Sequence, residues 1–291
     1  MSKDIVMAVR GLAYSYGAGP EIIHGMDFDL REGEFAAVMG ANGSGKTTLI
    51  KLLAGLLEPG KGDVLLSGQN MKSVPNDRRY TRIGVVFQNP DDQLFAMTVA
   101  DDVAFGPRNM GLDEHTVMAR VKQALELVHA AHLMDRGVAE LSYGQKKRVA
   151  IAGVLAMGSS ILLLDEPAAG LDPAGENSIM RLIGELNRNK NVTVVMAAHS
   201  VDMIPLFASR VMILDKGKIM TDGPMRVALT DGNLLDRAGL RLPYVASLMR
   251  ELEIKDGLSF ADLPLTIGEA RRRILELLPE SALDRPEGAL P

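Results

Sequence analysis

The chain has 291 residues, of which 47% are hydrophobic and 24% charged; that balance excludes disorder over most of the length and leaves room for one large domain or two modest ones. Its 32 Lys and Arg against 37 Asp and Glu give a formal charge of −5, which argues against nucleic acid as the main partner because binding a phosphate backbone needs a basic surface. The cysteine count is 0, so disulfides and thiolate metal sites are impossible, and the composition suits a reducing cytoplasm.

Met1–Arg10 carries Lys3, Asp4 and Arg10 with no apolar run, so no secretory signal is expected there. Ile5–Val9, Met26–Leu30 and Phe35–Met39 read as strands, followed by Asp63–Leu66 and Ile83–Phe87. From Gln88 to Gly158 strand-like runs vanish. Val117, Val121, Leu125 and Val128 recur at helical spacing, and Val149–Met157 is apolar all round, as in a buried helix. The longest uncharged run, Val149–Leu164, contains Ser159 and Ser160 and falls short of a membrane span, so the chain is not expected to cross a bilayer itself, which leaves docking against one open. Ile161–Leu164, Val192–Met196 and Val211–Leu214 resume the short apolar runs. Strands of this kind separated by helices predict an α/β fold, a parallel sheet covered on both faces.

Past about Asp231, Pro243 suits a helix start, and Val245, Leu248, Met249 and Leu252 share a face. Thr266 and Glu269 read as a capping box opening a helix that carries Ile274, Leu277 and Leu278, and Glu280–Pro291 looks frayed. No internal repeat is present.

Gly40-Ala41-Asn42-Gly43-Ser44-Gly45-Lys46-Thr47 fits G-x-x-x-x-G-K-[ST], with an apolar strand before it and Leu49, Ile50, Leu52 and Leu53 continuing into a helix. The glycines permit a tight loop whose backbone N–H groups converge on phosphate oxygens, at the positive end of that helix. Lys46 would reach the β- and γ-phosphates, the Thr47 hydroxyl would ligate Mg²⁺, and Thr48 would add a phosphate contact. Ile161–Leu164 runs into Asp165, Glu166 and Pro167, and ligands of α/β sheets bind at the carboxyl ends of strands. Asp165 would hold Mg²⁺, and Glu166 would polarise the attacking water. Taken alone, the pair reads as readily as acids decorating a helix N-terminus. The guanine-reading pattern N-K-x-D has its nearest match in Asn189-Lys190-Asn191-Val192, which lacks the Asp, so adenine is favoured.

Leu141-Ser142-Tyr143-Gly144-Gln145 precedes the apolar helix. Ser142 reads as an N-cap with Gln145 as its box partner. Lys146, Lys147 and Arg148 then oppose the helix dipole, so the turn asks for an anion, most naturally a phosphate.

These elements together resemble the ATP-binding subunits of ABC transporters, over about Val6 to Asp222. Leu141–Gln145 is similar to the family's signature loop, with Tyr143 in place of a glycine. The resemblance implies an ABC-type P-loop ATPase core over residues 1–230, with a helical subdomain inserted at about 89–158 and an extension at 231–291. It implies that Tyr16 stacks on adenine, that Gln88 is the Q-loop glutamine and a Mg²⁺ ligand, that Asp172 lies in the D-loop, and that His199 contacts the γ-phosphate. Without the family, Tyr16 would read as a strand-end aromatic and His199 as a core histidine.

Gln88–Phe95, Val103–Pro107 and Tyr143 narrow the resemblance to energy-coupling factor ATPases, and Leu141–Met157 is particularly similar to subunits serving cobalt and nickel uptake. The family implies a head-to-tail pair of ATPase subunits. In it, Ser142, Gly144 and Gln145 of one copy cap the ATP held by Lys46 of the other, and Asp172 couples the sites. It also implies transmembrane coupling and substrate-binding partners, and a peripheral location at the cytoplasmic membrane face. A shared ATPase for vitamin uptake and a soluble ABC ATPase stand as alternatives. Phe95, Met97 and Phe105 read as core residues or as lining for a partner's coupling helix, and some of them are expected to line such a groove. His129 and His132 are expected on a helix surface rather than on a metal.

Overall fold

In the computed structural model, which describes residues 4–278, the chain builds two sheets on either side of one helix. β1 (Ile5–Ser15), β2 (Glu21–Arg31), β4 (Lys61–Leu66) and β5 (Gln69–Asn70) form an antiparallel sheet in the order β2-β1-β4-β5. β3 (Phe35–Met39), β6 (Ile83–Val86), β7 (Ile161–Asp165), β8 (Thr193–Ala198), β9 (Arg210–Asp215) and β10 (Lys218–Pro224) form the second, in the order β10-β9-β3-β8-β7-β6. All its pairings are parallel except β9 with β10.

The expected parallel sheet is therefore half of the answer. β1, β2 and β4 belong to a separate sheet, and the reason is legible in β2. Met26, Phe28 and Leu30 are buried while Asp27 between them is exposed, the alternation of a sheet with one covered face. β3 instead sends Phe35, Ala37 and Met39 into one apolar cluster and Ala36 and Val38 into another. β10 escaped the sequence because it is an edge strand with no buried residue.

α1 (Lys46–Leu53) lies in the cluster shared by the two sheets. A short α2 (Asn76–Tyr80) precedes β6. Between β6 and β7 come α3 (Val99–Asn109), α4 (Glu114–Leu127) and α5 (Tyr143–Ala156), whose buried faces join the cluster on the other side of the parallel sheet. α6 (Pro173–Lys190) connects β7 to β8.

After β10 follow α7 (Met225–Thr230), α8 (Gly232–Arg237), α9 (Tyr244–Asp256) and α10 (Ile267–Leu277). Leu235, Ala238, Ala246 and Leu265 enter the same cluster as Ile183 of α6. The face expected on α9 is only partly inward: Met249 is buried, but Leu248 is exposed and Ala246 makes the core contact instead. Ile274, Leu277 and Leu278 are likewise exposed, because α10 packs through Ala270. Thr266 Oγ1 accepts the Glu269 N–H at 3.2 Å, yet Glu269 reaches back to Leu265 N rather than to Thr266 N, so the expected box is displaced by one residue. The frayed tail expected at Glu280–Pro291 lies outside the described residues.

Candidate functional site

The loop between β3 and α1 is built around a close approach that only glycine tolerates. A Cβ on Gly40 would sit 2.4 Å from the Leu214 carbonyl and 2.6 Å from Ser44 Oγ, with φ at +154°. The side chain of Lys46 folds back over this loop, its ammonium donating to the carbonyls of Gly40 at 2.8 Å and Ala41 at 3.1 Å. Burial pushes its pKa below that of an ordinary lysine, while the charges of Glu166 and Asp165 oppose the shift. Ser44 Oγ is buried without a partner among the described residues. A buried hydroxyl left unmatched is costly, and a phosphate oxygen above the loop would satisfy it.

Thr47 Oγ1 donates to Asp165 Oδ1 at 3.2 Å across the gap between α1 and β7. Burial raises the Asp165 pKa; the Thr47 hydrogen bond opposes that, and the Glu166 charge adds to it. Gln88, just past β6, donates from Nε2 to Glu166 Oε2 at 3.2 Å. His199, just past β8, places Nδ1 3.4 Å from the same oxygen. Glu166 holds a left-handed backbone, φ +46°, rare for a residue with a side chain, and its N–H donates to the Ala197 carbonyl at 3.1 Å. Asn42, Gly43 and Lys46–Thr48 of the loop thus join Gln88, Glu166 and His199 around one cleft of 540 Å³. The Thr47 hydroxyl, the Asp165 carboxylate and the Gln88 amide oxygen are hard donors of the kind Mg²⁺ takes.

Tyr16 does not line that cleft. Its hydroxyl is 3.4 Å from Thr48 Oγ1, its ring meets Tyr14 edge to face at 4.9 Å, and it is 45% exposed, which leaves ring area for stacking. Ser142, Gly144, Gln145 and Asp172 also lie outside the cleft of their own chain. Ser142 and Gln145 form both halves of the expected capping box, and Asp172 caps α6 through the Gly175 N–H at 2.6 Å.

The basic turn after Gln145 does not await a phosphate. Lys146 pairs with Asp91 at 2.6 Å, Arg148 donates to the Val128 carbonyl and Ser178 Oγ, and Lys147 is wholly buried with its ammonium on the Gln88 carbonyl. Four internal acceptors replace the expected phosphate. The Tyr143 hydroxyl donates to the same Gln88 carbonyl at 3.3 Å. This anchoring of Gln88 by α5 was missed in the sequence; the available signal was a lysine at the head of an otherwise apolar helix, one helical turn from a tyrosine. His129 adopts φ +56° beside Glu185, His132 sits in a 3₁₀ turn, and no group of three metal-ligating His, Cys, Asp or Glu side chains occurs among the described residues.

The family model described as ABC transporter matches residues 23–169. The energy-coupling factor transporter ATP-binding protein EcfA of Methanococcus maripaludis is 43% identical over 277 residues, covering 94% of this chain and 98% of that protein. The solved structure of cbiO1 from Clostridium perfringens, described as part of the ABC transporter complex cbiONQ, is 37% identical with a TM-score of 0.74, covering 85% of this chain and 100% of that one. The ATP-binding cassette MJ0796, solved as a dimer in a post-hydrolysis state with ADP and Pi, is 25% identical with a TM-score of 0.67, covering 76% of this chain and 99% of that one. The chain belongs to the ABC transporter family, as an ATP-hydrolysing ATP-binding subunit of the energy-coupling factor type.

Proposed function

We propose that this ATPase energises import of a transition-metal ion, cobalt or nickel, through membrane partners. The observation that carries the metal reading is the run Asn89–Phe95 with Tyr143, which resembles energy-coupling factor ATPases, together with the run Leu141–Met157, which resembles the subunits serving cobalt and nickel uptake. The proposed working unit has an ATPase core over 1–230, an inserted helical part at about 89–158 and the extension 231–291. It sits peripherally at the cytoplasmic membrane face. No described helix is long and apolar enough to cross a membrane, and the reading assigns the crossing to partner subunits.

Within the cleft, Lys46 binds and orients the phosphate tail, and Ser44 adds a hydroxyl. Thr47, Asp165 and Gln88 would hold Mg²⁺, which when bound neutralises phosphate charge. Glu166 draws a proton from the attacking water, and its two neighbours Gln88 and His199 hold its carboxylate in place. Tyr16 stacks on the adenine.

Ser142, Gly144, Gln145 and Asp172 lie away from their own cleft, which supports their acting on the nucleotide of a second copy. ATP then favours the closed pair because both loops grip it only there. Hydrolysis reopens the pair, and the motion passes through Gln88–Phe105 to the membrane subunits. Phe95, Met97 and Phe105 are exposed at 66%, 88% and 48%, and the two phenylalanine rings meet edge to face at 4.7 Å, an apolar surface suited to a partner's helix.

The test is ATP-dependent uptake of radiolabelled cobalt or nickel by the chain assembled with its candidate membrane subunits. Uptake of either metal supports the reading; uptake of vitamins alone defeats the metal part, and ATP hydrolysis with no uptake of any substrate by the assembled complex defeats the transport part.

A further inference from the structure

Asp202 lies three residues beyond His199, in the turn that leaves β8. Among the described residues its carboxylate is held by Arg241 and Tyr244 alone. Arg241 spans it with both terminal nitrogens, NH1 on Oδ1 at 3.3 Å and NH2 on Oδ2. The Tyr244 N–H donates to Oδ1 at 2.8 Å, so Asp202 also satisfies a backbone donor at the start of α9. The guanidinium stacks on the Tyr244 ring, 3.5 Å from its centroid, which fixes the plane of the fork. Two residues before Arg241, Gly239 has φ +67°, and a Cβ there would stand 3.3 Å from the Ala41 Cβ. Residues 239–244 therefore run from beside Ala41, in the loop that ends in Lys46, to the turn that begins at His199.

That turn needs an outside hold. Val201 and Ile204 are buried in the core, but His199 itself has a largely exposed side chain that meets Glu166 at its tip. Among the described residues no other hydrogen bond or ion pair holds the His199 side chain, so its approach to Glu166 depends on the backbone beneath it. We propose that Arg241 is a positioning residue for ATP hydrolysis: through Asp202 it fixes the turn after β8 and so holds His199 beside Glu166. The inference rests on the roles given above to His199 and Glu166, and it gives the extension a part in the catalytic cycle. A half-exposed ion pair adds little to global stability, so its loss is read in turnover, and a misplaced catalytic group lowers kcat without a matching change in substrate binding.

The test compares R241M, R241K, D202N, the double variant R241M/D202N and H199A in the full-length chain. Steady-state kcat and KM for ATP, the melting temperature, and amide hydrogen exchange over residues 199–204 without nucleotide are measured for each. R241M and D202N are expected to lower kcat about five- to twentyfold with KM within about twofold. R241K should recover part of the loss, because it keeps the charge but not the fork. The double variant should be no worse than the poorer single, since both remove one contact. Exchange over 199–204 should rise in R241M and D202N, with the melting temperature little changed. If R241M does not fold, D202N, which preserves shape, carries the same comparison. Turnover and exchange unchanged in both variants would overturn the inference. So would a loss of kcat wholly matched by loss of folded protein. Normal turnover in H199A would overturn the reading of the site, and this inference with it; impaired turnover in H199A beside normal turnover in R241M and D202N would overturn the inference alone.

Discussion

Lys147 donates its buried ammonium to the backbone carbonyl of Gln88, and the side chain of that same glutamine donates to Glu166 at 3.2 Å. The helix that follows the Leu141–Gln145 loop is thus tied to the cleft of its own chain. In the proposed pair, that loop caps the other copy's nucleotide, so the N-terminal end of α5 serves both sites.

Lys147 sets a pH dependence of stability. Burial lowers its pKa from the ordinary 10.5 to about 8. Below about pH 8 the folded chain carries the cost of a buried charge. As pH rises from about 8 to 10.5 the folded state has released the proton and the unfolded state has not, so this group's contribution shifts towards stability. The gain across that window is about 3 kcal/mol at most. Urea unfolding at pH 7.5 and 10 should show it in the parent and not in Lys147→Met.

Asp165 predicts an opposing pair of effects. Its folded pKa is raised, so its favourable contribution exists at acid pH and is lost as pH rises through the folded value; at neutral pH the buried carboxylate costs stability. Asp165→Asn should therefore melt at a higher temperature than the parent without nucleotide. It should also gain less on adding Mg²⁺ and ATP, and lose turnover. Differential scanning calorimetry with and without Mg-ATP checks both.

Glu166→Gln should lower turnover by about 10²–10⁴-fold, the usual contribution of a general base, while retaining ATP and accumulating the closed pair. Size-exclusion chromatography with light scattering, run with ATP, measures the accumulation. Normal hydrolysis would remove Glu166 from the role given to it.

Phe95→Asp and Phe105→Ser should abolish assembly with the membrane subunits while the isolated chain keeps its ATPase rate within about twofold, because exposed apolar side chains contribute little to the fold. Co-purification from membranes reads assembly, and a phosphate-release assay reads the rate.

Much of the parallel sheet and its phosphate loop was legible, because strands buried on both faces leave short apolar runs and a Gly40–Thr47 loop has few other uses. Asp165 and Glu166 were found by their place at the end of such a run. The second sheet was harder, since the alternation of β2 marks one buried face but gives no partner. The basic turn misled because helix-dipole logic weighs only the local chain. Asp91, Val128 and Gln88, which satisfy Lys146, Arg148 and Lys147, come from other elements. The hold of Arg241 on Asp202 was invisible for the same reason, being a contact between residues 39 apart in sequence.

The central claim is that one nucleotide is held by Lys46 of one copy and by the Ser142 loop of another. Two chains, one carrying Lys46→Ala and the other Ser142→Arg, each in the Glu166→Gln background, should separately fail to retain ATP. Mixed, they should recover about a quarter of the parent's retained nucleotide, because half the pairs would be mixed and each would have one intact site. No recovery on mixing, or full retention by the Ser142→Arg chain alone, would contradict a site shared between copies.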